Sequence, residues 1–242
     1  MADGSKTRPT DNFHCFQGRG FVYWHAKASG QQPSRETRAS PDGHIFDYAP
    51  DADGFAMNNG GISKPIETTL GLRKLFRFFD STTSAKDALA GNWWQDLDAL
   101  AVMTNFALNN EMSLSRAAQL LLIVPKNWGD CSNLLIVKPN TVLKAFVGKG
   151  NPVAITASGK STSPDAKRKS GTAVYAAGPG NNLEQIYIPG TPMIKAIPAS
   201  KGVAATSRVP GFLEQFLDFQ SVHHIDMRGI LIPAIPLSAG GK

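Results

Sequence analysis

After Trp128 the chain becomes a succession of short β-branched runs, at 134–137, 142–147, 152–157, 172–176, 186–188 and 194–197, each cut off by Gly, Pro or Asn. Punctuation of that kind leaves no room for helices and makes this half a mostly antiparallel sheet. Toward the end, 212–219 reads as a short helix and 229–235 as a last strand.

The half before Trp128 has another texture. Phe21-Val22-Tyr23-Trp24 is an aromatic, β-branched run suited to a strand, and 26–64 is rich in Gly, Pro, Ser, Asp and Asn, so it reads as loop with a short extended piece at 44–48. Leu70, Leu72, Leu75, Phe76 and Phe79 recur at spacings that place them on one face of a helix. A second helix is expected from Asn92, with Trp93, Trp94, Leu97, Leu100, Ala101 and Leu108 on its apolar side. A third starts at Ser113 and runs into a strand-like piece, 121–124. The fold class that follows is α+β, a helix-rich N-terminal half packed on a mostly antiparallel sheet.

A chain of 242 residues can bury roughly 70–75% of its unfolded surface in one core, so the expected organisation is a flexible arm over 1–12 and one domain over 13–242. With 42% apolar and 18% charged residues the chain is neither disordered nor fibrous. Its longest apolar run, Leu120 to Val124, is closed by Pro125, which excludes a membrane helix and leaves a soluble protein without membrane partners. Residues 1–12 lack the apolar stretch of a secretory signal, and two cysteines cannot build a disulfide framework. Synthesis in a reducing cytoplasm is expected; export without a cleaved signal is compatible with the same sequence. The net charge of +6 favours anionic partners.

Two segments carry the strongest chemical pointer. One is Tyr23-Trp24-His25-Ala26-Lys27-Ala28-Ser29-Gly30; the other is 181–197, where Glu184-Gln185-Ile186-Tyr187-Ile188 runs into Pro189-Gly190. Together they resemble the mono-ADP-ribosyltransferases, bacterial toxins and effectors that consume NAD. The resemblance covers about thirty residues in these two islands. It implies a split sheet with a cleft and transfer of ADP-ribose from NAD to a macromolecular target, protein or nucleic acid, or hydrolysis of NAD. No metal is expected, and a cognate immunity or carrier protein is an implied partner. Breaking the nicotinamide–ribose bond develops oxocarbenium character, which a carboxylate stabilises. Glu184 would supply it, and Gln185 stands at the family's usual distance before the proline. His25 would hold the ribose, Tyr48 or Tyr187 would stack on nicotinamide, and the backbone near Gly30 would take its amide. The arginine-type branch offers Arg19 and Ser161-Thr162-Ser163, which lies 21 residues before Glu184, closer than that family's usual separation.

Other patterns carry less. His223-His224-Ile225-Asp226 lacks a companion cluster for a metal site, Cys131 has no visible base, and Asp51-Ala52-Asp53 lies where turn chemistry alone yields such pairs. Phosphate-binding loop, dinucleotide and nucleophile-elbow motifs are absent from the sequence. Two functions stay open: an NAD-consuming transferase, and a non-enzymatic binding or assembly protein whose basic loop, with Lys160, Lys167, Arg168 and Lys169, meets nucleic acid or a protein.

Overall fold

A computed structural model describes residues 11–31, 36–39, 45–48, 60–126, 128–156, 172–175, 183–190, 194–196, 206–208, 213, 216–225 and 231–233. In chain order the described elements are a 3-10 turn (Phe13–Phe16), α1 (Gly18–Ala28), β1 (Glu36–Ala39), β2 (Ile45–Tyr48), β3 (Ile62–Leu70), β4 (Leu75–Phe79), α2 (Ala85–Leu89), β5 (Trp93–Asp96), α3 (Leu97–Asn109) and α4 (Leu114–Leu121). Then follow β6 (Asn133–Pro139), β7 (Leu143–Gly150), β8 (Val153–Thr156), β9 (Thr172–Tyr175), β10 (Glu184–Tyr187), β11 (Ile194–Ala196), β12 (Thr206–Arg208), β13 (Leu217–Ile225) and β14 (Leu231–Pro233).

The architecture is α+β. Eight strands form one sheet in the order β14-β13-β6-β4-β5-β10-β7-β3, and every neighbouring pair is antiparallel. The remaining strands form two-stranded ribbons, β1 with β2, β8 with β9 and β11 with β12. Alternation along β6 shows why the sheet is covered on both faces. Leu135 and Val137 join a core with Leu75, Phe79 and Trp94, whereas Leu134 joins a second core with Phe76, Met103 and Leu121. The first core draws on α1 and α2, the second on the α3–α4 pair. Among the described residues no helix is long and apolar enough to cross a membrane.

Several expectations are corrected. Phe21–Trp24 belongs to a helix, because the residues it buries, Gly20, Tyr23, Trp24, Lys27 and Ala28, recur at spacings of three and four while Val22 faces solvent. The expected helix over 70–79 is the end of β3 and the whole of β4. Gly71 to Lys74 is an exposed connection, and Leu75 and Phe76 point to opposite cores as strand neighbours must. Trp93 and Trp94 lie in β5, and the helix begins after them at Leu97, capped by Asp96, whose carboxylate accepts from the Ala99 amide at 3.2 Å. The N-terminal half therefore holds all four described α-helices but also much of the sheet. Ser113 caps α4 as the sequence suggests, accepting from Arg116 N at 3.2 Å. Residues 121–124 form the helix end and a turn, and Leu217 opens β13 where a short helix was expected.

Two contacts fasten the N-terminal segment. Asn12, assigned above to a flexible arm, is fully buried: its Nδ2 donates to Lys144 O and Pro189 O, both at 2.8 Å, and its Oδ1 accepts from Lys144 N at 2.9 Å. At the far end of α1, Gly30 (φ +71°) crosses Gly60–Gly61 so closely that a Cβ on Gly30 would lie 2.2 Å from Gly60 O. Gly30→Ala meets both the clash and the left-handed strain; it is expected to cost about 2–3 kcal/mol, a fall in Tm of roughly 5–10 °C by differential scanning calorimetry.

Candidate functional site

The two inner strands of the sheet part company. β4 and β5 pair at Leu75 with Asp96 and at Phe76 with Gln95. Beyond those residues β4 follows β6 as far as Phe79 and Asn133, while β5 follows β10 through Trp94 with Ile186 and Trp93 with Tyr187. The fork opens a cavity of about 390 Å³, a size typical of small-molecule sites.

Three tryptophans, Trp93, Trp94 and Trp128, line it, with Phe78 and Phe79. Into this aromatic wall the alternation of β4 forces a charge, because Arg77 lies between Leu75 and Phe79 on the same strand face. The guanidinium carbon lies 5.5 Å from the Trp94 ring centroid. It fills the space beside Gly91, where a Cβ would come within 1.3 Å of Nη1. Although Arg77 keeps partial exposure, its Nε and Nη1 are shut off from solvent with no hydrogen-bond partner among the described residues. Burial lowers its pKa to about 10, against the opposing pull of Asp80, so the side chain is a cation at neutral pH. Gln95, 4% exposed and lining the same cavity, presents an Oε1 that is likewise without a partner. An unsatisfied donor pair and an unsatisfied acceptor lining one cavity each cost stability unless a ligand meets them.

The far wall is strained. Ile123 (φ +56°) and Cys131 (φ +52°), both buried cavity residues, hold a left-handed conformation that is unfavourable for any side chain and worst for a β-branched one. Burial pushes the Cys131 thiol up to about 12, aided by Asp80 and Asp130, so it is no nucleophile at neutral pH. Asp80 and Asp130 meet at the cavity edge. Desolvation raises Asp80 above the ordinary carboxyl range. Asp130 is desolvated too, but hydrogen bonds from Ser81 and Ser132 outweigh this and hold it below that range.

The residues expected from the sequence are dispersed around this fork. Gln185 lines the cavity and donates from Nε2 to Leu122 O at 2.8 Å. Glu184 is exposed at the start of β10, opposite Lys149 in the ladder. Tyr187 is fully buried behind the cavity wall, its ring 4.8 Å from Trp93. Gly30 abuts the Gly60–Gly61 rim from outside. His25 sits on α1, half-buried against Phe21 and Phe146 at 5.5 and 5.6 Å, away from the cavity lining. Tyr48 is placed on β2, and Arg19 on α1, with side chains outside the described residues; 51–53, 160–169 and Asp226 lie outside them altogether. Among the described residues no group of His, Cys, Asp or Glu is arranged to hold a metal. Arg77 and Gln95 escaped the sequence reading, although a strand reading of Leu-Phe-Arg-Phe-Phe would have put the arginine inside. The chain matches no family model, no curated protein and no solved structure.

Arg77→Met keeps the stem over Trp94 and removes an uncompensated buried charge, so the variant is expected to melt about 2–4 °C higher than the wild type. The carboxylate pair gives opposite signs. Asp80, raised in the folded state, subtracts stability as pH climbs above its unfolded pKa, so Asp80→Asn is stabilising at about pH 7 and neutral at about pH 3. Asp130, lowered in the folded state, adds stability above its unfolded pKa that is lost as pH falls. Asp130→Asn is therefore destabilising at about pH 7, as urea titrations at the two pH values will read.

Proposed function

We propose that the protein binds a small anion carrying a flat ring, seated in the fork between β4 and β5 with its charged end on Arg77. The buried, partnerless Nε and Nη1 of Arg77 carry this reading. A guanidinium presents paired donors that match a carboxylate or phosphate, and an anion there would repay the desolvation the folded chain already bears. The tryptophans offer faces for stacking, and Gln95 Oε1 accepts from an N–H or O–H of the ligand. Saturating benzoate or NAD is expected to raise Tm by about 5 °C or more in the wild type and to leave Arg77→Met unmoved. If neither probe stabilises the wild type, or if Arg77→Met responds equally, the reading fails.

NAD falls within this ligand class, which keeps the ADP-ribosyltransferase-like reading as the second one. Its support is the position of Gln185 in the cavity wall and of Gly30 against the cavity rim. With Glu184 exposed, the carboxylates that line the cavity among the described residues are Asp80 and Asp87. Release of nicotinamide from NAD that is lost in both Arg77→Met and Gln185→Ala supports transfer or hydrolysis; release that survives both, or that needs Glu184 alone, counts against a reaction in this cavity. The non-enzymatic reading with a macromolecular partner rests on the basic loop and is read by salt-dependent binding.

A further inference from the structure

We propose that Asp80 couples this cavity to a proton: it enters the complex as a neutral carboxyl that donates to the same anion Arg77 holds, so ligand and proton bind together. The inference rests on the Arg77 reading and deepens it by naming the group that sets when the site accepts an anion. Its basis is the packing of two carboxylates on one segment crossing. Asp80, immediately after β4, faces the segment Gly129-Asp130-Cys131, and its Oδ1 accepts from Asp130 N at 2.7 Å. The approach is possible because residue 129 has no side chain: a Cβ there would lie 2.3 Å from that oxygen.

The two carboxylates are not equivalent. Asp130 accepts from Ser81 Oγ at 2.7 Å, Ser81 N at 3.2 Å and Ser132 N at 3.0 Å, three donors that fix it as an anion. Asp80 lines the cavity and lies beside that fixed charge, so of the two it is the one that takes a proton. Among the described residues the charged and titratable groups around it are Arg77 on the strand before it, Asp130 and Cys131 on the facing segment, and Asp87 of α2, which lines the same cavity. Of these Arg77 alone is cationic. As a carboxylate Asp80 competes with the ligand for Arg77 and repels it; a bound anion brings a further negative charge beside it and favours the carboxyl form. Its raised pKa agrees with the direction. Arg77 and the buried Gln95, both without a hydrogen-bond partner among the described residues, line the same cavity as Asp80 and mark it as a place for a ligand rather than a carboxylate cluster closed on itself.

Calorimetric titration of the full chain with benzoate and with NAD, whose charges are constant between about pH 5.5 and about pH 8, tests the coupling. Wild-type affinity is expected to fall toward a limit of about tenfold per pH unit above the Asp80 midpoint, with uptake of about one proton per ligand in buffers of different ionisation heat. Asp80→Asn flattens that dependence, whereas Asp98→Asn, an exposed carboxylate on α3, retains the slope. Affinity that is constant with pH in the wild type, or a slope that survives Asp80→Asn, overturns the role of Asp80 while leaving the Arg77 site standing. Failure of both probes to bind at about pH 5.5 overturns the Arg77 site and the role of Asp80 with it.

Discussion

Two residue pairs, Leu75 with Asp96 and Phe76 with Gln95, join the β14-β13-β6-β4 half of the sheet to the β5-β10-β7-β3 half. Everything distinctive about the molecule follows from how short that seam is. The seam lies where β4 begins and β5 ends; beyond it the two strands diverge and leave the cavity, while the α3–α4 pair covers the sheet face that carries Phe76 and Leu134. Asp96 serves the seam twice over, pairing with Leu75 and capping α3, and it lies 3.8 Å from Arg73 in an exposed pair that adds little. A strand end and a helix start are thus fixed by one residue at the point where the sheet forks.

The interior of the fork is organised around costs that packing does not recover. A guanidinium with two sealed nitrogens, a carboxamide oxygen without a donor among the described residues and two left-handed residues all surround one space. Each is unfavourable by itself, and a chain under selection for stability alone has simple ways to remove them, such as methionine at 77 or leucine at 95. Their concentration around one cavity distinguishes it from a packing defect, which is ordinarily apolar. The surrounding tryptophans make the dielectric low, so any charge that enters interacts strongly with those already there.

The second half of the fold was legible because Gly, Pro and Asn cut it into pieces too short for helices, and strands β6, β7, β8, β9, β10 and β11 fall where those cuts place them. The first half was not, since short apolar runs fit either period. Tyr23 and Trp24 read as a strand until Gly20 and Ala28 are seen to share their buried side, and Leu70 to Phe79 fits a helix unless Gly71 is taken as a break. That one misreading hid the site. Treated as helical, Arg77 is a solvated charge; treated as the third residue of a strand between two cores, it has nowhere to go but inward. Gln185 was visible from its place before Pro189-Gly190, whereas Asp80 and Asp130 stand 50 residues apart in sequence and meet through a glycine contact that no local pattern announces.

Asn12 adds a constraint of timing. Its amide is satisfied by Lys144 and Pro189, which follow it by 132 and 177 residues. During synthesis from the N-terminus, the segment that carries Asn12 therefore waits, without its partners, until Lys144 and Pro189 have been made and β7 and β10 have come together. Contacts this distant in sequence are slow to form, because the loop must close before they repay it. The first described residues of the chain are thus among the last to be secured, and their docking marks completion of the sheet beneath them.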